Sequence, residues 1–195
     1  VSLVFKYGCM NAAKTMQLLA FRHGLLELGV PVVLIKPKVD TRYPHPVVGS
    51  RSGLQAAADI VLDYHDLTTL PTILDELLDM GDSNNFILVD EAQFVSPEHI
   101  RYFRALVDTS GCHVVCYGLK SDFRASFFPG SQELFILADS IECIESYCML
   151  CRINKAMFNA RLDSSGLITR EGPQVAIEGE YTYMSVCSKC FGVNK

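Results

Sequence analysis

"GCMNAAKT", residues 8–15, stands between a short apolar run, Ser2–Tyr7, and a segment with leucines at helical spacing, Thr15–Leu28. A strand that turns into a helix across such a loop presents backbone N–H groups at the positive end of the helix, where they can wrap a phosphate. The match to G-x-x-x-x-G-K-[ST] is one residue short. Gly8, Lys14 and Thr15 fit, and Ala13 stands where the second glycine belongs. As a phosphate cradle, the loop Gly8, Cys9, Met10, Asn11, Ala12 and Ala13 supplies main-chain donors, Lys14 reaches the terminal phosphates, and Thr15 offers its hydroxyl to Mg2+. Taken alone, the stretch reads equally well as a strand–helix junction with an exposed lysine.

The alternation continues downstream. Val30–Ile35 and Phe86–Val89 are apolar and β-branched, and Pro97–Val107 carries Ile100, Phe103, Leu106 and Val107 on one helical face. His113–Tyr117 reads as a further strand, Gln132–Ala138 as a short helix and Ser140–Ile144 as the next strand. Pro44–Pro46, Gly49–Gly53 and Gly81–Asn85 read as loops. The pattern predicts an α/β fold, a mostly parallel sheet flanked by helices, with ligands at the carboxyl ends of its strands. After residue 145 periodicity fades, so the expected division is 1–145 and a small lobe, 146–195.

"FILVDEAQF", residues 86–94, gives the loop its context. The strand ends at adjacent carboxylates, Asp90 and Glu91, expected beside the phosphate loop on a neighbouring strand. There Asp90 serves Mg2+ and Glu91 accepts a proton from an attacking oxygen. A glutamate so placed orients water in an ATPase or deprotonates an alcohol in a kinase, and these residues alone do not decide between them. "KPKVDTRY", residues 36–43, brings Asp40 and Arg42 to the same sheet edge. "CYGLKSDFRASFFPGS", residues 116–131, gathers Phe123, Phe127 and Phe128 around Arg124, either as core or as the wall of a planar ligand.

Four of the eight cysteines form two C-x-x-C pairs, Cys148/Cys151 and Cys187/Cys190, the spacing of a closed, structural four-thiolate zinc site. Such a metal would clip a long segment that has little core of its own. A net charge of −5 argues against a nucleic-acid partner. No apolar run reaches the ~20 residues of a membrane span, and no basic-then-apolar signal pattern opens the chain, so no membrane partner and a cytoplasmic location are expected.

In this order, GCMNAAKT, KPKVDTRY, SRSGL, VDEAQF, CYGLKSDFR and the two C-x-x-C pairs closely resemble the type II thymidine kinases, the bacterial branch in particular, over residues 2–190. The resemblance implies a RecA-like P-loop domain, a zinc-bound lobe carrying a lasso loop, and a homotetramer. It also implies transfer of the ATP γ-phosphoryl group to the 5′-hydroxyl of thymidine with Mg2+. By position, Glu91 resembles the catalytic base, Asp90 the magnesium-side aspartate, Lys14 and Thr15 the phosphate lysine and magnesium hydroxyl, and Asp40 and Arg42 the DTR element at the phosphates. Met10, Phe94, Leu119, Phe123, Phe128, Asn159 and Tyr183 fall where the family lines its nucleoside pocket. Gln174, Val175, Ala176, Ile177, Glu178 and Gly179 match the lasso stretch whose backbone reads the pyrimidine.

Two departures stand out. Bacterial relatives often carry a histidine among the zinc ligands, whereas this chain offers four thiols, and both sets suit tetrahedral zinc. Ala13 costs about 1–2 kcal/mol if the loop requires φ > 0 there. Active salvage kinase is the leading expectation. The alternatives are a catalytically impaired nucleotide-binding paralogue and an ATPase with a zinc-ribbon interaction lobe.

Overall fold

The computed structural model describes residues 1–78, 84–174 and 182–192. Its first half runs β1 (Leu3–Gly8), α1 (Lys14–Glu27), β2 (Val32–Pro37), β3 (Val47–Gly49), β4 (Gln55–Ala57), β5 (Ile60–Leu62) and α2 (Thr69–Leu78). β6 (Phe86–Val89), a 3₁₀ turn (Ala92–Phe94), α3 (Pro97–Ser110), β7 (His113–Gly118), α4 (Pro129–Leu137) and β8 (Ser140–Ile144) follow. The chain then forms β9 (Phe158–Leu162), β10 (Ile168–Thr169), β11 (Thr182–Val186) and α5 (Ser188–Gly192).

Local chemistry sets the ends of α3. Ser96 accepts a hydrogen bond from the His99 N–H, Pro97 occupies the first turn, and Gly111 closes the helix at φ 71°. α1 begins differently, with no side-chain cap and with Ala13 in the left-handed region.

Six parallel strands form the main sheet in the order β5-β2-β6-β7-β1-β8. Alternate residues feed its two faces. Phe5, Ile35, Val89 and Cys116 pack with Leu70, Ile100, Phe103 and Leu134 from α2, α3 and α4. On the other face Leu34, Leu88, Val115 and Tyr117 meet Leu18 and Leu19 of α1 and Val48 of β3. Burial on both faces explains why the strands read as continuous apolar runs.

The expected α/β sheet is present, with two differences in arrangement. The strand bearing the carboxylates does not neighbour the strand of the phosphate loop, because β7 lies between β6 and β1. Asp90 still meets Thr15, because α1, crossing from β1 to β2, runs over β7 and carries Thr15 in its first turn toward the end of β6. The stretch around Gly49–Gly53 is a β3–β4 hairpin tip rather than plain loop, and the β5 strand beyond it joins the main sheet. Past residue 145, where periodicity is weak, an antiparallel sheet β10-β9-β11 packs around its own small core of Ala160, Ile168, Val186 and Phe191.

Candidate active site

At the carboxyl edge of β1, the chain turns through Asn11 and Ala13, both at positive φ (64° and 59°), before entering α1. The Ala12 N–H bonds back to the Cys9 carbonyl at 3.2 Å, and the Lys14 ammonium donates to the same carbonyl at 2.9 Å. Gly8 is required sterically: a Cβ there would lie 2.8 Å from the Ile144 carbonyl oxygen. The Ala13 side chain is exposed, so its methyl meets no steric obstacle, but its backbone adopts the conformation in which a Cβ is disfavoured. Glycine relieves about 1–2 kcal/mol of that strain and loses about 0.5–1 kcal/mol through its freer unfolded chain. Ala13→Gly is therefore expected to gain about 0.5–1 kcal/mol and to raise the thermal midpoint by about 1–4 °C. An unchanged or lower midpoint in a calorimetric scan would remove the strain argument.

Behind the loop sits a buried ionic cluster. The Thr15 hydroxyl donates to both carboxylate oxygens of Asp90, at 3.1 and 3.0 Å. Burial, with the neighbouring Glu91 charge, pushes the Asp90 carboxyl up to about 7 against the pull of Arg42, Thr15 and Lys14. Burial also lowers the Lys14 pKa, opposed by Glu91 and Asp90. Glu91 itself occupies the left-handed region at φ 47°, which turns its carboxylate out of the strand line. There Arg42 donates to one oxygen at 2.6 Å and the Gln93 amide to the other.

Arg42 also grips Asp40 through two bonds, Nε–Oδ1 at 2.7 Å and Nη2–Oδ2 at 3.1 Å. The fully buried Lys36 lies 3.6 Å from Asp40 and donates to the Val47 carbonyl at 2.7 Å. Burial alone would raise the Asp40 pKa, but the bonds and charge of Arg42 and the charge of Lys36 hold it below the ordinary carboxylate range. Burial likewise works against the Arg42 charge, yet Glu91 and Asp40 raise its pKa overall.

A carboxyl whose pKa is depressed on folding adds stability above its unfolded value and loses it as pH falls through the folded one. Asp40→Asn is thus expected to destabilise the protein by about 1–3 kcal/mol at neutral pH. The deficit should shrink below the usual carboxylate range as wild-type Asp40 protonates. Thermal midpoints of both proteins as a function of pH check this, and a pH-independent gap would sink it.

The four cysteines converge as one cluster with all Sγ atoms within 4.8 Å of one another, and none of the eight cysteines forms a disulfide. Tetrahedral zinc at Zn–S about 2.3 Å requires sulfurs about 3.8 Å apart, and Cys151 and Cys187 are 3.9 Å apart. Burial opposes ionisation of Cys148, but backbone N–H groups of Cys151, Cys187 and Leu150 bring its pKa down to about 6, favouring the thiolate that a metal needs. Asn154 directs its amide toward the sulfurs of Cys151 and Cys187. The donor set and spacing fit zinc.

Residues expected at the nucleoside come from several separate contact sets. Phe94 and Phe128 pack edge to face at 5.6 Å, with Phe128 buried. Phe123 is buried beneath Arg161, and the Leu119 N–H donates to Gln93. Met10 and Asn159 are joined directly. The Asn159 carbonyl oxygen accepts from the Met10 N–H at 2.7 Å while its amide donates to Ser121, so this side chain ties the lobe to the phosphate loop. Gln174 donates to Asp122, and Tyr183 accepts from Arg161. Val175, Ala176, Ile177, Glu178 and Gly179 lie outside the described residues. Phe127 is exposed and packs on Phe135.

Three residues outside the sequence reading emerge here. Gln93 links Glu91 to the Leu119 N–H; with its oxygen accepting from Leu119, only its amide nitrogen can face Glu91. Its place two residues after Glu91 in VDEAQF was the available signal. Lys36 resembles a surface lysine in sequence, and Arg161 lies in a segment without clear periodicity, so burial alone reveals them.

The chain matches the family model described as thymidine kinase over residues 1–191. It is 36% identical to thymidine kinase of Lactococcus lactis over 187 residues, covering 96% of this chain and 95% of the relative. It is also 36% identical to thymidine kinase of Enterobacteria phage T4 over 188 residues (96% and 94%), and to that of Chromobacterium violaceum over 190 residues (97% of each). With the phosphate loop, paired carboxylates and four-thiol cluster in place, this chain belongs to the thymidine kinase family.

Proposed function

We propose that the protein is an ATP-dependent thymidine kinase, transferring the γ-phosphoryl group to the 5′-hydroxyl of thymidine to yield thymidine monophosphate and ADP. The observation that carries this reading is the Glu91 carboxylate. Arg42 on one oxygen and Gln93 on the other hold it at the edge between the phosphate loop and the Phe94–Phe128 pair. That is a station for a base acting on an alcohol bound against aromatic rings.

The backbone of residues 8–13 and the Lys14 ammonium bind and orient the triphosphate. Arg42 adds positive charge where the transferred group passes. Glu91 takes the proton of the 5′-hydroxyl as its oxygen bonds to the γ-phosphorus, and the β–γ bridging oxygen leaves on ADP. Mg2+ bound with ATP supplies charge neutralisation across the phosphates. The Thr15 hydroxyl and Asp90 carboxylate, a buried set of hard oxygen donors, are the residues that would hold it. Met10, Phe94, Leu119, Phe123, Phe128, Asn159, Gln174 and Tyr183 surround the nucleoside in this reading.

The working division is a nucleotide-binding part, 1–145, and a zinc-bound lasso lobe, 146–195. Homotetramer assembly follows from the family resemblance and is checked by light scattering. No described helix is long and apolar enough to cross a membrane; two C-x-x-C pairs gathered into a metal-type cluster, rather than a disulfide framework, suit a cytoplasmic site of action. Labelled thymidine incubated with MgATP, followed by product separation, tests the function. Thymidine monophosphate and ADP in equal amounts are expected, and ADP formation indifferent to thymidine would refute it.

A further inference from the structure

Among the described residues the bulkiest fully buried side chain is charged: Arg161, at the centre of the three-stranded sheet, is 0% exposed. Its guanidinium carbon lies 3.6 Å from the centroid of the Phe123 ring, which arrives from the loop after β7. Across the strand pair, Arg161 faces Tyr183, donating to its phenolic oxygen from Nε at 2.9 Å and Nη2 at 2.7 Å. Further bonds go to the carbonyls of Pro173 (2.8 Å) and Glu171 (3.3 Å). One planar cation therefore connects two rings from different parts of the fold with the segment ending at Gln174, which is itself tied to Asp122.

A phenolic oxygen has two lone pairs and one proton. With Arg161 donating to it twice, Tyr183 has no acceptor capacity left and its own O–H is aimed away from the guanidinium. We infer that Arg161 is a specificity-setting positioning residue for the nucleoside. It fixes the Phe123 ring as a flat wall and makes Tyr183 an obligate hydrogen-bond donor, so the pocket selects a nucleoside that presents an acceptor oxygen there. This rests on the thymidine kinase reading above. Lysine cannot replace the arginine, because it lacks both the forked donors and the planar face that lies on Phe123.

Steady-state kinetics with thymidine and ATP varied separately test the assignment in Arg161→Lys, Tyr183→Phe and the double variant, alongside zinc content and thermal midpoint. Arg161→Lys is expected to raise the thymidine KM by about tenfold or more with the ATP KM within about twofold of wild type and zinc retained. Tyr183→Phe should raise the thymidine KM too, and the double variant should lose less than the product of the single effects. An unchanged thymidine KM in Arg161→Lys, or equal rises in both KM values with loss of zinc, overturns the inference. If Arg161→Lys does not fold, an unchanged thymidine KM in Tyr183→Phe overturns it. Wild-type protein without thymidine turnover instead overturns the kinase reading and this inference with it.

Discussion

Glu91→Gln is expected to lower kcat for thymidine phosphorylation by about 10²–10⁴ while leaving ATP affinity near its wild-type value. The loss is large because an amide cannot take the 5′-hydroxyl proton, whereas the triphosphate contacts of residues 8–15 do not involve this side chain. The substitution has a secondary effect. Both Glu91 oxygens accept hydrogen bonds in the native site, so the new NH₂ must face either Arg42 or Gln93, donor against donor. That clash disturbs about one hydrogen bond, far less than the missing base. Removing the Glu91 charge also removes one of the two influences that push Asp90 up, so Asp90 should ionise more readily in the variant. Single-turnover chemistry and ATP titration measured separately check the split. A variant with near-normal turnover would sink the assignment of Glu91 as base.

Zinc removal is expected to act on the other substrate. Structural four-thiolate sites contribute on the order of 10 kcal/mol or more of folding free energy near neutral pH. Among the described residues, and apart from the cysteines, the fully buried apolar core of the lobe they serve is Ala160, Ile168, Val186 and Phe191, with Phe158, Leu162 and Met184 partly buried against it. The lobe therefore has little to hold it once the clip is lost, while the six-stranded sheet keeps two well-filled faces. Chelation, or Cys187→Ser, should abolish amide-exchange protection in β9 and β11 while β1, β6 and β7 stay protected. Thymidine affinity should fall by about tenfold or more, because Tyr183 and Arg161 lie on those two strands. ATP binding should weaken less. Its link to the lobe runs through Asn159 and Ser185, both of which bond to the Met10 backbone at one corner of the phosphate loop. Metal-free protein with full thymidine affinity and full lobe protection would show that the four thiols are not a structural clip.

Much of the fold was legible because its physics is local. The apolar runs Phe86–Val89 and Ser140–Ile144 are strands of those bounds, and helix α3 begins at Pro97, where the helical periodicity begins. An acidic turn after a strand is common on its own, so the carboxylates at 90 and 91 stood out only in combination with the GCMNAAKT loop. β5 and the three strands of the lobe were harder to read. β5 and β10 are only three and two residues long, and β9 (FNARL) and β11 (TYMSV) mix polar with apolar residues, so none of them presents a continuous apolar run.

By itself, then, the sequence determined the alternating α/β sheet, the strand–helix loop at residues 8–15, the paired acids and the cysteine spacing, all signals written within a few neighbouring residues. Tertiary structure alone decided that β7 separates the loop from the acids, that Ala13 adopts a left-handed backbone, and that Gln93 and Arg42 share Glu91 between them. It also decided that Lys36 and Arg161, two ordinary-looking cations, are buried. The physical reason is desolvation: whether a charge is cheap at the surface or must be fully partnered inside depends on what the rest of the chain folds over it, and no local pattern records that.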